Sequence, residues 1–203
     1  MEQFVRVTGI AVPMLRINID TDQMVPGPEL LRVRNEGHAA SLFAGARYLK
    51  DREPNPEFIL NREPWSRAEV LLADRNFGCG SSREAAPKAL REYGFRALIA
   101  PSFGGIFFSN CFRNGLLPVE LPIEAVRSIA RQMEEAQGNA RVTVDLEAQL
   151  VTAPDGTAYA FTAPATLRRM LLDGVDEIDM TLARGAEIAA WRASDSARRP
   201  WAY

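Results

Sequence analysis

The sequence predicts an α/β fold, a mixed sheet with flanking helices, from three observations. Between residues 68 and 121, apolar runs of strand length alternate with segments of helical periodicity. Residues 149–162 hold two β-rich stretches around Pro154-Asp155-Gly156, a hairpin signal. The 203 residues, 47% apolar and 25% charged, suffice for one sizeable core. The alternation argues for parallel strands with right-handed crossovers, and the hairpin adds antiparallel ones. One domain is expected over residues 1–203, since no repeat, low-complexity segment or linker interrupts the chain.

The elements follow in order. Residues 4–12 are β-rich and read as an opening strand. Residues 18–22 place two acids and a threonine in a loop after Ile17. Pro26, Gly27 and Pro28 break the chain before residues 29–41, which read as a mixed loop carrying Leu30, Leu31, Val33 and His38. Residues 42–49 have the spacing of a short helix, and Pro54, Pro56 and Pro64 punctuate an extended segment. Strands are expected at 68–73, 95–100 and 116–121, with helices from about 85 to 92 and about 104 to 113. Gly94 and Gly115 lie where those helices would end. Residues 123–137 carry the stripe Ala125, Val126, Ile129, Ala130 and Met133, closed by Gly138. A strand at 141–147 and the hairpin follow, then a helix from Pro164 to about Asp173, with Gly174 as its stop. A last helix after Gly185 is expected to end near Ala193, leaving a loosely held tail over about 194–203.

Composition excludes several classes of function. A formal net charge of −2 gives no electrostatic footprint for nucleic acid. The longest uncharged run, residues 97–112, contains proline, glycines and polar residues and is shorter than a membrane span. With no apolar signal segment near Glu2 and Arg6, the expected location is cytoplasmic. Cys79 and Cys111 make no disulfide framework, and with His38 as the one histidine they are too few for a three-cysteine cluster or a histidine-rich metal site. No metal is therefore expected on this chain, and Cys79 reads as a small residue beside a close backbone approach.

The chemistry concentrates in residues 76–90, NFGCGSSREAAPKAL. A strand, a glycine-flanked turn and a helix start occur here in that order, which gathers backbone N–H groups into a pocket that attracts anions. Ser81, Ser82 and Arg83 stand at its mouth, and a guanidinium there can clamp a carboxylate through two parallel hydrogen bonds. Ser81 and Glu84 also have capping-box spacing, a purely structural alternative. Pro87 lies too far along for a helix capped at Ser81, so the regular helix is expected nearer Ala85. Neither the serine-hydrolase elbow nor the P-loop pattern is present. With one distant histidine, a serine acting chemically would be activated by something else.

These residues, with NIDTDQMVP (18–26), PNPEFILN (54–61), IAPSFGGIFFSNCFRNGLLPV (99–119) and VDLEAQLV (144–151), resemble the small subunits of 3-isopropylmalate dehydratase, in the aconitase superfamily. The resemblance covers nearly the whole chain. It implies a swivelling β/α/β domain, and a hydro-lyase that interconverts 2-isopropylmalate and 3-isopropylmalate in leucine biosynthesis and acts only with a large subunit. It further implies a [4Fe–4S] cluster on that large subunit. By the same resemblance Ser81 aligns with the catalytic serine, Arg83 with the carboxylate-binding arginine and Ser82 with a supporting donor. Thr21, Asp22, Asn76 and Gly80 fall at the substrate site, and a flexible segment over about 27–41, with Leu30 and Leu31, selects the substrate's side chain. The chain departs from the family at Ala85 and Lys88, where histidine and tryptophan are usual, and at Gly104 and Gly105, where alanine and aspartate are usual. A hydratase for another substituted malate (2-methylmalate and citraconate, dimethylmalate or homoaconitate) is the alternative. A non-catalytic anion-binding module is a second.

Overall fold

The structure is a computed structural model that describes residues 1–203, except the side chains of residues 33–36. The opening β-rich stretch divides into two strands, β1 (Arg6–Gly9) and β2 (Ala11–Met14), which join different sheets. The connection to the next strand holds three short helices, α1 (Thr21–Met24), α2 (Glu29–Glu36) and α3 (Ala44–Arg47), with several 3-10 turns. Then β3 (Val70–Ala73), α4 (Ala85–Tyr93), β4 (Ala97–Ala100), α5 (Gly105–Arg113), β5 (Leu117–Glu120) and α6 (Ile123–Glu135) alternate. The chain finishes through β6 (Val142–Asp145), β7 (Leu150–Thr152), β8 (Ala158–Ala160), α7 (Ala165–Asp173), α8 (Glu177–Leu182) and α9 (Gly185–Arg198).

The α/β class is as the sequence predicts, but the strands do not share one mixed sheet. The parallel strands form a sheet of order β2-β3-β4-β5, and the antiparallel strands form a second of order β1-β6-β7-β8. Burial explains the division. Every residue of β2, β3 and β4 is buried, as continuous apolar runs covered on both faces require. β6 alternates buried and half-buried residues, as a strand with one covered face does. Pro13 and Pro118 sit in β2 and β5, the two edges of the parallel sheet, while the central β3 and β4 carry no proline. The α6 stripe Ala125, Val126, Ile129, Ala130 and Met133 is buried, and the helix packs across β2, β3 and β4. Buried residues of both sheets join one contiguous core.

Several local expectations are corrected. Residues 29–36 form α2 rather than a loop. The short helix expected over 42–49 is confined to α3. The last helix, expected to end near Ala193, runs to Arg198, where Arg199 and Tyr203 bond back to the buried Asp195. The helix α8 was not anticipated, and a capping box between Asp176 and Asp179 opens it.

Candidate active site

Three connections meet beyond the C-terminal ends of β2, β3 and β4, the end of a parallel sheet where ligands commonly bind. Short bridges carry the strand pairing outward: Asp20 pairs with Cys79, and Phe77 with Phe103. The Gly78 N–H donates to the Ile19 carbonyl at 2.7 Å and the Thr21 N–H to the Cys79 carbonyl at 3.0 Å. Between these connections lies a cavity of about 270 Å³. Thr21, Asn76, Gly80, Ser81, Ser82 and Arg83 line it on one side, and Gly104 to Phe107, at the start of α5, line the other.

The turn itself is not a capping box. Glu84 occupies the N-cap of α4 with no side-chain cap bond, and the regular helix begins at Ala85. Among the described residues, no acceptor takes up the N–H groups of Gly80, Ser81 or Ser82, and neither serine hydroxyl has a hydrogen-bond partner. Both serines are exposed. The turn is held instead through its backbone, because the hydroxyl of buried Thr21 donates to the Ser81 carbonyl at 2.8 Å. Asn76 is fixed by its N–H to the Ser102 hydroxyl and by its side-chain amide to Asn18.

Arg83 is anchored rather than free. One guanidinium nitrogen lies 2.5 Å from the Asp22 carboxylate, and another donates to the Val25 carbonyl at 2.9 Å. Its side chain is only 20% exposed, although it lines the cavity. Asp22 therefore meets the site through Arg83 and is not among the residues lining the cavity. Leu30 and Leu31 lie on α2, exposed by 36% and 75%, and do not line the cavity either. The side chain of Val33 lies outside the described residues. His38 pairs with Glu92 in the last turn of α4. At 1.5 Å per helical residue, Glu92 lies roughly 10 Å along α4 from Ala85, the residue at which the helix begins beyond the serine turn.

Two glycines make the close approach possible. A Cβ at Gly78, where φ is +73°, would lie 2.2 Å from the Phe107 ring. A Cβ at Gly104 would lie 2.4 Å from the Gly78 carbonyl oxygen, so an alanine does not fit here without a shift of backbone. Gly78, Ile106 and Phe107 are cavity residues that the sequence reading missed. The glycine pair before the apolar run of α5 was the available signal. Lys88 pairs with Glu84 on the surface of α4 and does not line the cavity.

The cysteines do not fit an iron–sulfur cluster. Cys111 is fully buried in the core, and burial pushes its thiol well above the usual value, away from the thiolate a metal needs. Cys79 lines the cavity, and among the described residues no group of three His, Cys, Asp or Glu side chains could hold a metal ion.

Comparison with known proteins gives the family. The family model described as Aconitase C-terminal domain matches residues 1–124, and a second, LeuD_N, matches residues 130–163. A 3-isopropylmalate dehydratase small subunit of Cupriavidus necator is 49% identical, over 100% of this chain and 99% of its own. The chain belongs to the 3-isopropylmalate dehydratase small-subunit family. Another small subunit of the family, from Rhizobium meliloti (strain 1021), is 45% identical over 100% of both chains. A crystal structure titled as the 3-isopropylmalate dehydratase of Methanocaldococcus jannaschii matches with a TM-score of 0.64 at 25% identity, covering 91% of this chain and 98% of that one. The Thr-Asp pair, the serine turn and the Gly-Gly helix start all fall within the Aconitase C-terminal domain match.

Proposed function

We propose that this chain supplies the proton-transfer half of a 3-isopropylmalate dehydratase, a hydro-lyase that interconverts 2-isopropylmalate and 3-isopropylmalate through isopropylmaleate in leucine biosynthesis. The observation that carries the reading is the serine turn: unbonded Ser81 and Ser82 hydroxyls, unclaimed amides and an anchored arginine on one cavity. The reaction removes a weakly acidic proton from a carbon next to a carboxylate. Ser81 Oγ takes that proton as the base, and an alkoxide there is stabilised by the amides of residues 80–82 and the charge of Arg83. Arg83 holds the substrate carboxylate. Two of its nitrogens are occupied by Asp22 and Val25, which fixes the guanidinium and leaves its other N–H groups for the ligand. Ser82 supports as a donor, while Thr21, Asn76 and Gly80 shape the wall. Residues 27–41, through Leu30 and Leu31, select the substrate's side chain.

The whole chain acts as one swivelling domain in the cytoplasm, in a heterodimer with a large subunit. That partner carries the [4Fe–4S] cluster, the Lewis acid for the departing hydroxyl, since this chain's own cysteines do not fit the group. No helix among the described residues is long and apolar enough to cross a membrane. The deciding experiment is hydration of isopropylmaleate by the chain assembled with its large subunit, beside citraconate, dimethylmaleate and homoaconitate. A preference for isopropylmaleate of at least tenfold in kcat/KM is expected. A preference for another acid would assign the chain to a paralogous hydratase, and inactivity on all of them would leave only an anion-binding module.

A further inference from the structure

The segment between Pro26 and Gly37 is tied at both ends to a single helix, α4. At its entry, Arg83, just before that helix, donates to the Val25 carbonyl at 2.9 Å. At its exit, the Glu92 carboxylate in the last turn of α4 accepts from the His38 N–H at 2.5 Å and from the Ala39 N–H at 3.3 Å. Its other oxygen lies 2.7 Å from Nδ1 of the His38 ring. An ionised carboxylate only accepts, so Nδ1 carries the proton in this contact. Partial burial works to raise the Glu92 pKa, but the bonds from the His38 backbone and ring and from Ala39 outweigh it and hold the carboxyl below its usual value. The chain reaches this contact through Gly37, at φ +77°, where a Cβ would sit 3.2 Å from the same carboxylate. The turn at Ala39–Ser41 packs along α4.

We propose that Glu92 is a positioning residue for substrate selection, fixing the exit of the segment that carries Leu30 and Leu31 at a set distance from the carboxylate clamp Arg83. The proposal rests on the reading of residues 27–41 as the segment that selects the side chain. Its physical content is registry. The group that binds the substrate's carboxylate stands in the turn that leads into α4, and the anchor of the segment that meets its alkyl group stands in the last turn of the same helix. With the exit fixed, the segment is ordered before the ligand arrives, and the entropy of ordering it is not subtracted from binding. Without Glu92 the exit loses its bonds to α4. The Val25 contact, together with the Arg52–Glu29 pair at 2.9 Å, then holds the segment near its entry, while Arg47 and Arg52 still bond the Ala39 and Ala40 carbonyls.

The test uses the assembled two-subunit enzyme with two substrates, 3-isopropylmalate and maleate, which lacks an alkyl group for the segment to meet. Glu92→Ala is expected to raise KM for isopropylmalate about tenfold, the scale of one lost charge-assisted hydrogen bond. Its kcat should stay within about twofold, and KM for maleate should not move. Glu92→Gln keeps a carbonyl acceptor for the two backbone N–H groups and should restore most of the effect. His38→Ala removes one of the three bonds and should lie between. Equal changes for both substrates, or none for either, would overturn the proposal. Leu31→Ala separates it from the reading beneath it: a raised isopropylmalate KM in Leu31→Ala, with none in Glu92→Ala, defeats the anchor alone. No change in Leu31→Ala or Leu30→Ala defeats the reading of the segment itself. If Glu92→Ala does not assemble, His38→Ala decides by the same ratio of KM values, because it leaves α4 intact.

Discussion

Ser81 and Arg83 stand close in the chain, yet the structure fixes them by different means. Ser81 is held by its carbonyl, through Thr21, which leaves the hydroxyl unbonded; Arg83 is held by its head group, through Asp22 and Val25. Ser81→Ala should therefore lower kcat of the assembled enzyme far more than it changes KM, because the alkoxide acts mainly in the transition state. Ser82→Ala should cost at most about 10²–10³-fold, the loss of one donor. Arg83→Lys loses the planar two-pronged fit, and kcat/KM should fall about 10- to 100-fold. From the sequence, an arginine facing solvent at this turn would be replaceable with little change in stability. The structure revises that, since lysine cannot reach both Asp22 and the Val25 carbonyl, and a loss of about 1 kcal/mol in a denaturant titration is expected. Gly104→Ala places a methyl against the Gly78 carbonyl oxygen. It should destabilise the subunit by about 1–3 kcal/mol and displace the serine turn, read as a lower melting temperature together with lower kcat. A melting temperature equal to wild type would mean that the turn yields freely.

Among the elements, α4 and the turn that leads into it hold both ends of the 26–37 segment, through Glu92 and Arg83. Its lower anchor is sensitive to acid. The Glu92 carboxyl is held below its usual value of 4.5, so the clamp contributes fully above that value and is lost as the pH falls through the lowered folded-state value. Amide exchange at His38 and Ala39 should therefore stay slow from neutral pH down to about 4.5 and lose protection only below it, after correction for intrinsic rates. Protection lost already near pH 6 would contradict this. The sequence revealed such elements unevenly. The runs Val70–Ala73 and Ala97–Ala100 were readable because doubly covered strands are uniformly apolar. The helix α2 was not, because prolines and a glycine precede it and Asn35 and Gly37 close it, all turn signals on the page of the sequence. At the site, the serine turn was legible as a motif. Ile106 and Phe107 were not, since apolar residues at a helix start read as core. The Asp22–Arg83 pair joins loops far apart in sequence, which no local pattern encodes.

On the scale of the molecule, the proposed half of an active site sits on one core spanning two sheets. The isolated chain should fold cooperatively, carry no stoichiometric iron or sulfide and show no dehydratase turnover. Turnover should appear on mixing with a cluster-loaded large subunit. Iron bound at one cluster per isolated chain would refute the division of labour. The proline-bearing margins of the parallel sheet carry a consequence for the life of the subunit before it meets that partner. An orphan chain is most endangered where an open strand edge can template pairing with a neighbour, and here Pro13 and Pro118 each remove an N–H donor from margins whose prolines are themselves buried. Replacing either with a β-branched residue would place an N–H donor in a buried setting with no strand beyond it, so a pool of unassembled subunits would be less stable. Tolerance of solitude would thus depend on how the margins of the parallel sheet are packed.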